Sequence, residues 1–431
     1  MPRAPRFLLP AATLLAAACA DSDLRGPFFV TSPGGQVPVD ETYEYDAFAA
    51  GFVHPVTWEL ESGPAGMTID DEGLVSWTPS LAQLGTYPVE VSVGDGETRV
   101  RQSWELVVHQ NLLLGVAYSP RGHTGGSTDD DVVDHLAGHD PWGRLIAFHS
   151  PWRDSVADAG SYPELALFAM AARSDYGVEP ALGFGWAAGD GTADLLSESD
   201  MVDNSWTNAE SRAEFLGMVT DFARDYQPRL LFLGNEVNSW YWTDPAGWAD
   251  WLDVLGEAYD SIKAVSPGTI VYTVFQLERL KGLGSGTAGW MDPPHWNLVD
   301  DVAASGKVDA IGFTSYPYLE FATPGAIPAD YYDEIALHWD GPVIFTEVGW
   351  PAAAFAPFPG SEADQDAFVD TFLGLSSGLP IEYACWLFLH DFDGQAGTPG
   401  FQDIGLRNND ASVIRLADGS WQAAVELRER P

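Results

Sequence analysis

Two patterns of hydrophobic and polar positions divide the chain. From about residue 26 to 109 apolar and polar residues alternate. Tyr87, Val89, Val91 and Val93 are interleaved with Pro88, Glu90 and Ser92, Gly94-Asp95-Gly96 makes a turn, and Trp104, Leu106 and Val108 resume the alternation. Strict alternation marks half-buried strands, and short strands broken by Gly/Asp turns predict a small all-β sandwich. From 110 to 431 short apolar runs are separated by longer amphipathic stretches. Eight runs predict strands, at 112–118, 144–149, 178–184, 229–234, 269–275, 308–314, 342–346 and 383–389. Helical periodicity lies between them, as at 209–226, 248–265 and 362–375. Eight β-then-α units predict an α/β fold, a (β/α)8 TIM barrel. An open doubly wound sheet would favour a glycine-rich phosphate loop after an early strand, and the sequence carries none.

The first 18 residues have another character. Arg3 and Arg6 precede the apolar run FLLPAATLLAAA, which ends at Cys19. A charged start, a short apolar stretch and small residues before a cut predict an export signal. The run is shorter than the roughly 20 apolar residues of a membrane span. Leu15-Ala16-Ala17-Ala18-Cys19 resembles the bacterial lipobox, in which the Cys is lipidated. The expectation is a lipoprotein attached at Cys19, exported and held on a membrane facing the periplasm or cell surface. An ordinary signal peptide and a secreted protein form the alternative. The predicted organisation is signal 1–18, tether 19–25, sandwich 26–109 and barrel 110–431.

Composition narrows the function. With 46% hydrophobic residues and 17 Trp, the chain can build large cores, which excludes disorder over most of its length. Lys and Arg total 20 against 63 Asp and Glu, a net charge of −43. Such a surface repels phosphate backbones, so nucleic acid is excluded as a partner. The expected partner is an uncharged polysaccharide, bound by a monomer. Two Cys, Cys19 and Cys385, encode no disulfide framework within one domain.

In a barrel, chemistry sits where strands end. His149, Pro151 and Trp152 follow the second strand, and Gly185 and Trp186 the third. Asn235, Glu236, Asn238, Trp240, Tyr241 and Trp242 follow the fourth, and Ser315, Tyr316 and Tyr318 the sixth. Thr346, Glu347, Gly349 and Trp350 close the seventh, and Trp386, Phe388 and His390 the eighth. Aromatic faces stack on sugar rings, and carboxylates and amides bond hydroxyls, so this set suits a neutral, hydroxyl-rich polymer. Glu236 and Glu347 each follow a short apolar run in uncharged surroundings. Glycoside hydrolysis needs such a pair, one a proton donor with raised pKa and the other a nucleophile or base.

Gly234-Asn235-Glu236-Val237, with Thr346-Glu347-Val348-Gly349-Trp350-Pro351, resembles the clan A retaining glycoside hydrolases. In motif it is most similar to the family 17 β-1,3-glucanases and family 53 endo-β-1,4-galactanases. The resemblance implies that Glu236 is the acid/base and Glu347 the nucleophile, that Asn235 holds the sugar 2-hydroxyl, that Tyr316 orients the nucleophile, and that Trp386 floors the central subsite. Trp350, Trp186 and Trp240 join them as candidate substrate-binding residues. It further implies endo action with retention, which calls for carboxyls about 5–5.5 Å apart. Other clan members carry a Pro after the Asn-Glu pair and an Arg after strand two; here Val237 stands in the first place and no clear Arg in the second. In the first module, the Gly63 to Ile69, Gly73 to Pro79 and Gly85-Thr86-Tyr87 segments resemble the immunoglobulin-like or cadherin-like domains of bacterial surface proteins, which act as spacers.

Weaker signals point elsewhere. His135 and His139 have the i, i+4 spacing of one helix face but lack a third metal ligand. Gly374-Leu375-Ser376-Ser377-Gly378 has nucleophile-elbow spacing, yet a helix enters it, so it reads as a helix end. Asp391-Phe392-Asp393-Gly394 hints at a Ca²⁺ loop with Gln402 where a Glu belongs, so no cofactor is expected beyond an incidental Ca²⁺. Two alternative functions keep the same residues: a catalytically inactive glycan-binding surface lipoprotein, and a transglycosylase using the same carboxylate pair.

Overall fold

The structure, a computed structural model, describes residues 26–39, 41–80, 83, 85–109, 112–122, 126–152, 162–186, 195, 205–286, 288–391, 401 and 403–429. Cys19 and the predicted export signal lie outside these residues, as does most of the suggested Ca²⁺ loop. The chain divides into two compact units, Met1–Gln110 and Asn111–Pro431, described separately. Among the described residues no helix is long and apolar enough to cross a membrane.

The described residues of the first unit form β-sheets. One sheet runs Gln36–Pro38, Arg99–His109, Gly85–Gly94 and Thr57–Ser62, and a second runs Tyr43–Asp46, Leu74–Trp77 and Thr68–Ile69. The predicted alternation is the reason for the core: Val89 and Val91 meet Leu106, Val108, Tyr45, Val75 and Trp77.

The second unit is a closed barrel of eight parallel strands, as the sequence predicts. They are β1 (Leu113–Ala117), β2 (Leu145–Pro151), β3 (Glu179–Gly185), β4 (Leu230–Leu233), β5 (Ile270–Gln276), β6 (Ala310–Ser315), β7 (Val343–Val348) and β8 (Ile381–Trp386). Closure is made by β8 against β1, with Leu114 opposite Ala384 and Val116 opposite Trp386. Because successive side chains of a strand point to opposite faces, the apolar runs serve two cores. Phe232, Tyr272, Val274, Ile344, Tyr383 and Cys385 fill the barrel, whereas Leu231, Leu233, Ala384 and Trp386 face the helices. Helices Ala209–Tyr226, Trp248–Val265 and Glu362–Leu375 fall where their periodicity places them. Asn208 and Ser361 cap the first and last of these, each accepting backbone N–H groups that a helix start leaves unpaired. The Gly374 to Gly378 segment is the end of the last one, followed by β8.

Candidate active site

The end of β4 turns sharply. Gly234 has φ +78°, and a Cβ there would lie 2.5 Å from Trp186 Nε1. Only glycine meets both demands. Glu236 follows with φ +52°, a left-handed conformation uncommon for a residue with a side chain and typical of places where geometry serves chemistry. The chain then enters the short helix Val237–Tyr241. Asn238 locks that helix to β5, its Nδ2 donating to the Gln276 carbonyl at 2.9 Å and its Oδ1 accepting the Gln276 N–H at 2.8 Å. This clamp fixes the direction in which Glu236 leaves the barrel.

Glu347 reaches the same place from β7, being the fifth residue of that strand. Three groups converge on its buried carboxylate. The Tyr316 hydroxyl donates to Oε2, Asn235 Nδ2 donates to Oε1 at 3.2 Å, and His149 Nε2 lies 3.3 Å from Oε1. The two hydrogen bonds fix the direction of both carboxyl oxygens. His149 comes from β2 and rests edge-on against the Phe232 ring at 5.2 Å. That ring occupies the space a Cβ at Gly183 would fill.

Glu236 is placed differently. Its Oε1 accepts the Thr314 hydroxyl at 2.7 Å. Burial, and secondly the charge of Glu347, push its pKa up to about 8, and the Thr314 bond only partly opposes them. Burial also raises the Tyr316 phenol well above its ordinary value, with the Glu347 charge adding to it, so Tyr316 stays a hydrogen-bond donor. Two carboxyls whose environments differ in this way can divide the work of acid and nucleophile.

The structure thus brings together Glu236, Glu347, Asn235 and Tyr316 of the sequence candidates. The tryptophans stand elsewhere. Trp386 is fully buried between barrel and helices, its Nε1 donating to the Ile404 carbonyl at 2.8 Å and its ring packed on Phe368 and Trp421. It cannot floor a subsite, because the strand's alternation turns it outward. Trp350 is also fully buried, against Tyr318 and Phe368. Trp186 and Trp240 meet edge to face at 4.8 Å and, with Trp251 and Trp206, form a buried nest beneath the Gly234 turn. These four supply packing rather than open stacking faces.

Three contributors have no role assigned from the sequence, although His149 stands among the residues that end the second strand. His149 and Thr314 carry no motif of their own, and only the closed barrel shows that β2 and β6 aim them at the two carboxyls. Glu278 follows β5 and is fully buried beside Tyr316. It had a signal: a Glu directly after an apolar strand, the same sign that marks Glu236 and Glu347. Among the described residues no group of three or more His, Cys, Asp or Glu could hold a metal ion. Asp391, the first residue of the suggested Ca²⁺ loop, is engaged by Arg415.

Comparison with known proteins adds context. Residues 28–109 match the family described as "Putative Ig domain". No curated protein sequence matches the chain. Among solved structures, it is similar to GH5_18 from Streptomyces cattleya in complex with GlcNAc, with 17% identity and TM-score 0.56 over 75% of this chain and 82% of that one. The exo-beta-1,4-mannosidase Op5Man5 from Opitutaceae bacterium strain TAV5 is similar at 16% identity and TM-score 0.55, over 75% of this chain and 60% of that one. A GH5_18 variant from Bifidobacterium longum subsp. longum in complex with Manb1-4GlcNAc gives 15% identity and TM-score 0.54, over 73% of this chain and 78% of that one. At these identities the likeness is one of fold, and the fold is one that glycoside hydrolases use.

Proposed function

We propose that the barrel is a retaining glycoside hydrolase that cleaves a neutral β-linked polysaccharide by endo attack. The observation that carries this reading is the pairing of two carboxyls in opposite settings: Glu347 accepting from Tyr316 and Asn235, and Glu236 buried and pushed up to about 8. Near neutral pH Glu236 then holds the proton that a leaving sugar needs.

In the first step Glu347 attacks the anomeric carbon as the C1–O bond breaks, and the Glu236 proton passes to the departing oxygen. A glycosyl ester on Glu347 and an ionised Glu236 result. In the second step Glu236 takes a proton from water, the water oxygen bonds to C1, and the ester bond to Glu347 breaks. One water is consumed and Glu236 is protonated again. The Tyr316 hydroxyl and Asn235 Nδ2 hold the nucleophile against rotation. The Asn235 Oδ1 is buried without a hydrogen-bond partner among the described residues, which suits a sugar hydroxyl at the 2-position as its donor.

The test is reducing-end release from β-1,3-glucan, β-1,4-galactan, mixed-linkage glucan, mannan and xylan, with the disaccharide Manβ1-4GlcNAc added because structural neighbours bind or act on mannosides. Proton NMR of the first product reads its anomeric configuration. Release of a retained anomer, lost in Glu347→Ala, supports the proposal. An inverted first product, or full activity in that variant, rules it out.

A further inference from the structure

Glu278 is a fully buried carboxyl that the two-step reaction does not use. It sits in the short helix Leu277–Leu280, directly after β5. Its Oε1 accepts the backbone N–H of Tyr316 at 2.8 Å, the Tyr331 hydroxyl at 2.8 Å and the Ser315 hydroxyl at 3.0 Å. Its Oε2 accepts Gln276 Nε2 at 2.6 Å. Among the described residues no Lys or Arg forms an ion pair with it. Removing a carboxyl from water without a cation is costly. Burial accordingly raises its pKa, and the same hydrogen bonds oppose the rise.

Two of the three bonds to Oε1 come from consecutive residues at the end of β6. The second of these, Tyr316, sends its hydroxyl to Glu347. Its ring is flanked by Tyr318 and Phe401, with centroids 5.9 and 5.0 Å away. Its backbone is held by Glu278. We propose that Glu278 is a positioning residue, which pins the Ser315-Tyr316 segment so that the Tyr316 hydroxyl meets Glu347. This inference rests on Glu347 being the nucleophile.

The residue type fits the task. Four donors face Glu278, and an ionised carboxylate is a side chain that accepts on both ends and donates on neither. Glutamine would keep the volume but turn an NH₂ toward either the three donors or the Gln276 amide. Gln276 is not free to rotate in compensation, because its Oε1 accepts the Arg279 N–H at 2.5 Å.

A double-mutant cycle on the full chain tests the proposal, using whichever polymer the wild type cleaves. Glu278→Gln and Tyr316→Phe are each expected to lower kcat on the order of tenfold to a hundredfold with KM little changed, the scale of a misplaced catalytic group. The double variant should fall no further than Tyr316→Phe alone, since removing the hydroxyl leaves Glu278 nothing to position. Should Glu278→Gln not fold, Ser315→Ala removes one of the same bonds and is expected to show a smaller loss, again absent in the Tyr316→Phe background. Wild-type kcat in Glu278→Gln, or losses that multiply in the double variant, would overturn the positioning role. A wild type silent on every polymer, or an active Glu347→Ala, overturns the parent reading and this inference with it.

Discussion

The Thr314 hydroxyl donates to Glu236 at 2.7 Å, while Thr314 itself stands opposite Glu347 in the register of β6 and β7. One threonine therefore touches one carboxyl and neighbours the other. Its bond favours the ionised form of Glu236, against the burial and the Glu347 charge that push the pKa up to about 8. Thr314→Val deletes the bond at nearly constant volume. Glu236 should then hold its proton to still higher pH, and the alkaline limb of the kcat/KM profile should move upward. A pH–rate profile in which the limb stays in place or moves down contradicts this.

The raised pKa of Glu236 also has a consequence for stability. Below its ordinary value of 4.5 the group is neutral in both folded and unfolded chains and makes no difference. As pH rises from there to about 8, the unfolded chain releases a proton that the native state keeps, so the native state loses relative stability. Glu236→Gln removes that loss. Its Tm should match the wild type near pH 4, exceed it progressively with rising pH, and level off above about pH 8. Calorimetry across that range gives the answer, and a constant offset at all pH values would refute it.

Gly234 bears both a left-handed backbone and the nearest approach of Trp186. Gly234→Ala should destabilise the protein by at least about 1–2 kcal/mol from backbone conformation alone, before any clash is relieved. Because the same turn aims Glu236, the surviving folded fraction should also lose activity. Urea unfolding read alongside specific activity separates the two effects.

His149 Nε2 stands 3.3 Å from Glu347 Oε1 without forming a hydrogen bond. His149→Ala removes a ring packed between Phe232 and that carboxyl and should lower kcat on the order of tenfold to a hundredfold, the scale of a misplaced catalytic group. KM should change little, since the imidazole is aimed at the nucleophile and not at bulk substrate. A rise in KM with kcat intact would instead make His149 a sugar-binding group.

Much of this arrangement was readable in the residue pattern. All eight barrel strands fall within three residues of their predicted bounds, because short apolar runs between amphipathic stretches fit little else. Glu236 and Glu347 stood out because a charge directly after a buried strand is rare without a task. The tryptophans misled for a related reason. Alternation along β8 sends Tyr383 and Cys385 inward and Trp386 outward. Alternation in the sequence sets Trp386 opposite Tyr383 and Cys385, but which of the two faces lines the barrel is decided only when the sheet closes. Trp186 and Trp240 look in sequence like a stacking platform, yet they bury each other. Thr314, and the position of His149 beside Glu347, became visible only on closing the barrel, when distant strand ends were brought to one point.

The nest formed by Trp186, Trp206, Trp240 and Trp251 has a use beyond packing. Its ring centroids lie 4.7 to 5.5 Å apart for the pairs that meet. Indoles this close share their electronic excitations, which yields a paired positive and negative band in far-ultraviolet circular dichroism. Trp186 also abuts the Gly234 turn that carries Glu236. The fold thus contains an intrinsic optical gauge, and a movement of the acid-bearing turn on sugar binding would be recorded as a change in that couplet without any added label.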